Sequence, residues 1–260
     1  MAETPLTWNQ AVKGITEFIE VAIHTILYVR QIYPADLFVR RKKYDTPVFQ
    51  SRHPALNEYI SGTVKAVSDE LVLVSSQHQL HIPPAVKSLI KQGNVDKVVV
   101  VIKDRNQVAL ERFIFSVQNM IEVESYNKDT SVQEAMSSAQ LSQYFRSFLI
   151  KLNMIESQLG FLELPTGDEA SFAIVLELKE NTAPSASKDN FSSRKEPPPW
   201  VPADHQHTTS GASEKAQLHL LRAVDTGIIN ISLAVQESEQ KFQSAKDLDD
   251  IEGQGNADAR

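Results

Sequence analysis

Cysteine is absent from the 260 residues of this chain. Its absence excludes disulfide scaffolds, thiol nucleophiles, iron–sulfur clusters and thiolate zinc sites, and it agrees with a reducing compartment. Glycine-rich phosphate loops and the Gly-x-Ser-x-Gly elbow of hydrolases are also missing. The net charge of −7 gives no overall electrostatic attraction to nucleic acid. We therefore expect no direct nucleic-acid binding by the protein as a whole.

Long hydrophobic runs are missing as well. The best candidate for a membrane segment, residues 18–29, contains Glu20 and His24 and is shorter than the roughly 20 apolar residues that span a bilayer. It has neither the basic start nor the small-residue cleavage site of a secretion signal. We expect a soluble, intracellular protein without a membrane partner.

What is present is typical of a globular domain. Hydrophobic residues make up 42% and charged residues 23% of the chain, and the length suffices for one large domain or two small ones. The pattern of residues 7–33 predicts an amphipathic helix. The helix is expected to begin at a capping box formed by Thr7 and Gln10 and to end before Pro34. Its apolar stripe consists of Trp8, Val12, Ile15, Ile19, Ala22, Ile23, Ile26 and Leu27. A second helix is predicted to follow His53.

Strand patterns fill the middle and the end of the chain. The β-branched run 97–103 predicts a central strand buried on both faces, and residues 110–117 predict its return partner. Residues 129–159 have the pattern of a second long helix, and residues 171–179 and 229–236 read as further strands. The elements together predict an α+β fold.

Three segments depart from this order. Residues 68–84 interrupt the second helix, either as a surface insertion with a short extra strand or as intron sequence from a wrong gene model; the helix is expected to resume at 85–90. Residues 180–211 are rich in serine, proline, lysine and asparagine. Residues 237–260 are acidic and predict a disordered tail.

Candidate catalytic and metal-binding groups are few. The pairs His78/His81 and His205/His207 have ligand-like spacing, but neither lies near a matching carboxylate cluster. No nucleophile–base arrangement is recognisable, so we expect no metal, no cofactor and no enzymatic activity; an unrecognised hydrolase is the alternative from another class. The basic run at residues 40–43 is read either as a nucleic-acid or nuclear-import patch or as a solvated edge strand.

Trp200 stands out because it lies in a polar, proline-rich segment. One interpretation is that it folds back and fills a gap in its own domain. The other is that it clamps a bound partner, because tryptophan supplies a large contact area at a low entropy cost. Both hold if the segment crosses a bound peptide.

Several blocks of the sequence carry a family resemblance. They are Phe-Ile-Glu-Val-Ala-Ile-His-Thr-Ile-Leu-Tyr-Val-Arg at 18–30, Ile-Tyr-Pro at 32–34, Arg-Lys-Lys-Tyr at 41–44, His-Pro-x-Leu-Asn-x-Tyr-Ile at 53–60 and Lys-Val-Val-Val-Val-Ile at 97–102. With these blocks the chain resembles the HORMA-domain accessory subunits of DNA polymerase zeta. The resemblance is dense from about residue 8 to 180 and thins afterwards.

The resemblance implies a mixed central sheet backed by long helices, followed by a C-terminal safety belt that wraps a partner peptide. The HORMA core is expected at 8–179, with 68–84 as an insertion. The belt is expected at 180–236, and the tail at 237–260. In such a fold the peptide adds to the sheet as an extended strand.

The resemblance also implies site residues. Tyr59 and Trp200 correspond to the family's aromatic residues that line the proline-containing peptide, and Pro202 replaces a leucine of the same site. Arg146 corresponds to the arginine used in HORMA self-association, which implies a homodimer or a heterodimer with another HORMA protein.

A second partner surface is implied on the belt, where the family recruits the scaffold Y-family polymerase. The family's leucine corresponds to Leu218, whereas its glutamine and tyrosine correspond to Ser232 and Ala234, which cannot make the same contacts.

The resemblance as a whole implies a non-catalytic adaptor of translesion DNA polymerase zeta in the nucleus. Its main partner is then the catalytic subunit of that polymerase, clamped through a proline-containing peptide. The alternative is a spindle or meiotic checkpoint HORMA adaptor that uses the same clamp on other peptides.

Overall fold

The computed structural model describes residues 4–73, 95–121, 127–162, 164, 169–179, 200–203 and 216–242. A five-stranded sheet with the order β5-β3-β4-β7-β6 lies against helices, and a separate two-stranded sheet pairs β1 with β2. The elements are α1 (Trp8–Val29), β1 (Phe38–Lys43), β2 (Thr46–Ser51), α2 (Pro54–Leu73), β3 (Val95–Lys103), β4 (Ala109–Asn119), α3 (Ser138–Asn153), α4 (Glu156–Leu159), β5 (Ser171–Leu178), β6 (Gln217–Asp225) and β7 (Ile229–Glu237). The predicted α+β architecture is confirmed, and the described strands pair antiparallel.

Helix α1 is the central helix of the core. The Thr7 hydroxyl accepts from the Gln10 N–H at 3.2 Å, and the Gln10 side chain accepts from the Thr7 N–H at 3.0 Å, which confirms the capping box. Every residue of the predicted apolar stripe is buried. The helix ends at Val29, earlier than predicted, because Gln31 adopts a left-handed φ of 53°.

The described part of the predicted interruption at 68–84 is helical. Helix α2 continues to Leu73, and Leu71 is buried in the main core. The Lys128 ammonium donates to the Val72 carbonyl at 2.8 Å and so satisfies one acceptor near the end of the helix. The interruption of the second helix at 68–84 is therefore wrong for residues 68–73, which are helical. Residues 74–84 and the predicted resumption at 85–90 lie outside the described residues.

Strand β3 has the predicted central position between β4 and β5. Val98, Val100 and Ile102 belong to the main core on the helix side of the sheet, whereas Val99 and Val101 form a small cluster on the opposite face. The β-branched run is thus buried on both faces, which confirms the prediction from its composition.

The predicted helix at 129–159 is wrong in its extent. Residues 131 and 137 instead form isolated β-bridges with Thr7 and Pro5. The helix begins after Ser137, whose hydroxyl accepts from the Gln140 N–H at 3.3 Å in a second capping box. Val132 and Met136 have helical spacing but pack against the core from an irregular segment.

The C-terminal hairpin, β6 and β7, attaches to the sheet through the pairing of β7 with β4. The turn between its strands requires glycine at position 227, which has a φ of 79°. A Cβ atom there would lie 2.5 Å from the Glu134 carbonyl oxygen. The predicted strand at 229–236 is confirmed, with alternate residues buried.

The first residues of the predicted disordered tail are ordered. Glu237 ends β7, residues 239–242 form a helical turn, and Glu237, Ser238 and Lys241 are buried. The prediction is therefore wrong for 237–242, and residues 243–260 lie outside the described residues. Among the helices that the structure describes, none has the length and apolar character that crossing a membrane requires.

Candidate functional site

Strand β5 forms one end of the sheet, with β3 as its one neighbour in the described strand order. The backbone N–H of Ile174 donates to the Tyr59 hydroxyl oxygen at 3.4 Å, so this amide points away from β3. Because strand backbone groups alternate in direction, the amides of Phe172 and Leu176 point to the same edge. The edge of β5 can therefore accept an additional strand.

Three aromatic side chains line this edge, and we call them the aromatic ledge: Tyr33, Tyr59 and Phe172. The Tyr59 and Phe172 ring centroids lie 5.8 Å apart at an angle of 69°, and those of Phe172 and Tyr33 lie 6.2 Å apart at 84°. Tyr59 is 46% exposed. Aromatic faces that remain open beside a strand edge suit the contact with proline rings in an extended peptide.

The Tyr33 hydroxyl remains protonated under ordinary conditions. Burial, and secondarily the neighbouring Tyr59, raises the pKa of Tyr33 above its usual value. The aromatic ledge therefore presents uncharged rings and hydroxyl dipoles rather than charges. Recognition at this edge must rely on shape, main-chain hydrogen bonds and apolar contact.

Trp200 is half-buried and packs against the main hydrophobic core, while Val201, Pro202 and Ala203 are exposed. This position agrees with the interpretation that the indole fills a gap in its own domain. Its role as a clamp on a partner, and the contact of Pro202 with a partner, stay predictions.

The chain between β5 and β6 connects opposite edges of the sheet, because these strands are its two ends. Four strand spacings of about 4.8 Å separate them, or about 19 Å. A belt that begins at one edge of the sheet and ends at the other requires its two flanking strands to occupy these positions.

The structure brings the three residues of the predicted second surface onto one face of the C-terminal hairpin. The register pairs Leu218 with Gln236, Leu220 with Ala234, and Ala223 with Ser232. Leu218 and Leu220 are 64% and 67% exposed. Sequence reasoning missed Leu220, although its two-residue spacing from Leu218 was the available signal.

Arg146 lies exposed on α3, away from the β5 edge. It contributes, after the dominant effect of Lys42, to lowering the pKa of Asp45 in the turn between β1 and β2. Helix α3 thus exposes a basic side chain next to the two-stranded sheet. The role of Arg146 in self-association stays a prediction.

The basic run at residues 40–43 lies exposed along β1. Lys42 pairs with Asp45 at 2.9 Å, and Lys43 pairs with Glu17 at 3.1 Å. These carboxylates offset half of the positive charge, which favours the interpretation as a solvated edge strand over a nucleic-acid patch.

Metal ligands do not converge within the described residues, where no group of three or more histidine, aspartate or glutamate side chains could hold an ion. His78, His81, His205 and His207 lie outside the described residues.

A groove with a volume of about 1060 Å³ begins beside the aromatic ledge. Tyr33 and Ala170 lie at the end near β5, and Tyr28, Phe49 and Phe161 line it further along. No local pattern predicts this groove, because its walls come from distant parts of the chain. Its lining is mixed, since Arg30 and Glu156 lie beside the aromatic side chains.

Comparison with known families decides the fold family. The model of the family described as HORMA domain matches residues 11–227. The chain belongs to the HORMA-domain family. The match includes α1 from residue 11, four of the five strands of the large sheet (all except β7), and the segment that joins β5 to β6.

Relatives of this HORMA protein carry two kinds of name. "Mitotic spindle assembly checkpoint protein MAD2B" of Danio rerio is 32% identical over 237 residues, which are 91% of this chain and 95% of the relative. The human protein of the same name is 30% identical with the same coverage. "DNA polymerase zeta processivity subunit" of Schizosaccharomyces pombe is 30% identical over 85% of this chain and 90% of the relative.

Solved structures share the HORMA fold. A chain of "Crystal Structure of Mitotic Checkpoint Complex" matches with a TM-score of 0.59 and 18% identity, covering 87% of this chain and 98% of that one. "Structure of C. elegans HTP-1 bound to HTP-3 motif-1" matches with a TM-score of 0.57 and 12% identity, covering 88% and 91%. At these identities the likeness concerns the fold alone.

Proposed function

We propose that this HORMA protein is a non-catalytic adaptor subunit of translesion DNA polymerase zeta. It holds the catalytic subunit through an extended, proline-containing segment, which we call the guest. The position of β5 at the end of the described sheet, with Tyr59 beside it, is the observation that carries this proposal. The polymerase zeta name of the relative that is 30% identical over most of both chains supports the choice of partner.

The guest adds to β5 as a further strand. Main-chain hydrogen bonds to the outward groups of β5 supply affinity, and the aromatic ledge supplies preference for proline and other apolar side chains. Residues 171–178 offer a strand long enough for several such bonds. The guest therefore needs an extended conformation and little charge where it crosses the ledge.

The belt, residues 180–236, closes over the guest and returns to the opposite edge of the sheet as β6 and β7. Trp200 then presses on the guest from the belt side, and Pro202 lies next to it. Because the belt is continuous with the sheet on both sides, release of the guest requires the belt to move. The complex gains a long lifetime in this way.

Other surfaces serve other partners in this proposal. The exposed face with Leu218, Ser232 and Ala234 recruits a scaffold Y-family polymerase, and Leu220 enlarges its apolar area. Arg146 on α3 takes part in self-association, as a homodimer or with a second HORMA protein. The protein acts in the nucleus, where its polymerase partners work on DNA.

A second candidate function is that of a checkpoint adaptor. The spindle checkpoint name of several relatives favours it, and so does the fold match to a chain of the mitotic checkpoint complex. The same strand edge and belt then hold a different guest. The two functions differ in the sequence of the guest and not in the mode of binding.

Titration calorimetry with the full chain separates these functions. Synthetic segments of the polymerase zeta catalytic subunit and of checkpoint partners are compared, each with a control in which the prolines are replaced by alanine. We expect tight binding of the polymerase segment and a loss with its proline-free control. Preference for a checkpoint segment would establish the second function, and binding of neither would refute both.

A further inference from the structure

Glu111 is a fully buried carboxylate on β4, at the helix side of the sheet. Arg30, at the end of α1, binds it in a bidentate manner: Nε donates to Oε2 at 2.9 Å and Nη2 donates to Oε1 at 2.6 Å. The Nη1 atom of Arg30 donates to the Gly160 carbonyl at 2.9 Å. This pair joins α1 to β4 within the body of the domain.

Lys241 extends the pair to the helical turn that follows β7. Its ammonium donates to Glu111 Oε1 at 2.6 Å, to the Leu159 carbonyl at 3.0 Å and to the Glu237 carboxylate. The other oxygen of Glu237 lies 2.9 Å from His219 Nε2, on β6. We call the set Arg30, Glu111, His219, Glu237 and Lys241 the buried ion network.

The charges of the buried ion network balance when His219 is neutral, because Arg30 and Lys241 face Glu111 and Glu237. All three donors of the Lys241 ammonium have acceptors. A buried network with every donor satisfied specifies one arrangement of its elements, whereas loss of one partner leaves an uncompensated buried charge. The network therefore favours one position of the elements that contribute to it.

The network crosses the boundary between two parts of the molecule. Arg30 and Glu111 belong to the body, whereas His219, Glu237 and Lys241 belong to the C-terminal hairpin and the turn after it. Within the sheet, the hairpin joins the body through β4 alone. Detachment of the hairpin would leave Arg30 and Glu111 paired but would remove Lys241 from two acceptors of the body, the Glu111 carboxylate and the Leu159 carbonyl.

We infer that Lys241, oriented by Glu237, is a positioning residue that holds the C-terminal hairpin on β4. The belt begins at β5 and ends in this hairpin, so the same residues keep the belt closed over a guest. This last step rests on the proposed function, whereas the docking of the hairpin does not.

Hydrogen exchange of the full chain without a guest tests the inference. In Lys241→Met we expect the amides of β6 and β7 to exchange about a hundredfold faster, which corresponds to about 2.7 kcal/mol at about 1.36 kcal/mol per tenfold. Amides of α1 and β3 are expected to keep their rates, because opening of the hairpin is local. Lys65→Met, at an exposed position of α2, is the matched control and leaves all rates unchanged.

A role of Lys241 in global stability alone would change the exchange rates differently. If α1, β3, β6 and β7 all exchange faster by one factor, Lys241 supports global stability and the inference is refuted. Unchanged rates in β6 and β7 refute it as well. Should Lys241→Met fail to fold, Glu237→Gln weakens the contact that orients the Lys241 ammonium, with a neutral side chain of equal shape, and a local increase of exchange in β6 and β7 is expected again.

The double variant Glu237→Gln/Lys241→Met removes one charge of each sign. It should exchange more slowly in β6 and β7 than Lys241→Met, because it leaves no unbalanced buried charge. A rate equal to or above that of the single variant would contradict the charge-balance argument.

The link to the belt has its own measurement. With the polymerase segment bound, Lys241→Met is expected to raise the dissociation rate at least tenfold, while Lys65→Met leaves it unchanged. An unchanged rate refutes the link to belt closure. Lack of binding by the natural chain would refute the proposed function but leave the exchange result in the free protein standing.

Discussion

The hydroxyl oxygen of Tyr59, on α2, accepts a hydrogen bond from the backbone N–H of Ile174 on β5 at 3.4 Å. This contact places an aromatic ring beside the strand edge to which the guest is proposed to add. The ring remains half-exposed. Its position makes Tyr59 the first residue to test.

Replacing Tyr59 by alanine should weaken binding of the polymerase segment by about 1–2 kcal/mol, because aromatic anchors dominate such interfaces. Trp200→Ala should have an effect of the same size. Titration calorimetry measures both. Ile150→Ala removes an exposed apolar side chain of α3 and serves as the control that leaves affinity unchanged. Unchanged affinity for both Tyr59→Ala and Trp200→Ala would refute the proposed site.

The face of the hairpin with Leu218 and Ala234 gives a second prediction. Ala234→Tyr restores the side chain that the family resemblance implies at this position, next to the exposed Leu220. We expect tighter binding of the Y-family polymerase, by about 1 kcal/mol or more for an added aromatic contact. Leu218→Ala should weaken it. Surface plasmon resonance with both variants checks this, and equal affinity of Ala234→Tyr and the natural chain would contradict it.

The turn glycine of the hairpin gives a prediction about stability. Gly227→Ala should destabilise the protein by about 1–3 kcal/mol, because its φ is positive and its Cβ would meet the Glu134 carbonyl. Gly62, on the exposed side of α2, has nothing within 4 Å of a Cβ. Gly62→Ala should therefore stabilise by about 0.5–1 kcal/mol. Urea unfolding of both variants measures these changes in the free energy of unfolding. A Gly227→Ala variant as stable as the natural chain would contradict the described turn.

His24 predicts a dependence of stability on pH. Burial lowers its pKa from 6.5 to about 4, and its Nδ1 accepts from the Ser51 N–H at 3.5 Å. Between those two values the unfolded chain binds a proton that the folded protein does not. The histidine therefore lowers the free energy of unfolding as the pH falls through this window, by about 3 kcal/mol in total.

Urea unfolding between pH 7 and pH 4.5 checks the contribution of His24. In His24→Asn the loss of stability across this range should be smaller than in the natural chain, since asparagine does not titrate. Burial raises the pKa of Glu20, and this shift increases the free energy of unfolding as the pH falls, opposite to the effect of His24. The comparison of His24→Asn with the natural chain isolates the contribution of His24, because both contain Glu20. Equal slopes for His24→Asn and the natural chain would show that His24 is protonated in the folded protein.

Sequence patterns predicted the elements whose burial follows from local composition. The apolar stripe of α1 and the β-branched run of β3 were sufficient to predict these two elements and their burial. In each element the spacing of the apolar residues alone shows which side chains face the core. The helix predicted at 129–159 failed at its start, where bridges to residues 5 and 7 replace helical hydrogen bonds. Helical spacing alone does not show that a distant segment competes for the backbone.

The functional residues also include some that the sequence predicted and others that only the structure revealed. The family motif pointed to Tyr59, but its contact with Ile174 spans 115 positions of the chain. Lys241 belongs to a polar, acidic stretch that predicted disorder. Its three acceptors come from β4, β7 and the end of α4, and no local pattern brings them together.

The order of residues by itself determined the amphipathic α1, the central β3, the alternating β7 and the family. These depend on side-chain periodicity and on motifs that neighbouring residues complete. Only the tertiary structure decided which strands lie at the ends of the described sheet, which face carries Leu220, and that Glu237 and Lys241 are held by buried charges. Those properties depend on hydrogen bonds and ion pairs between distant residues, which exist only after the sheet has formed.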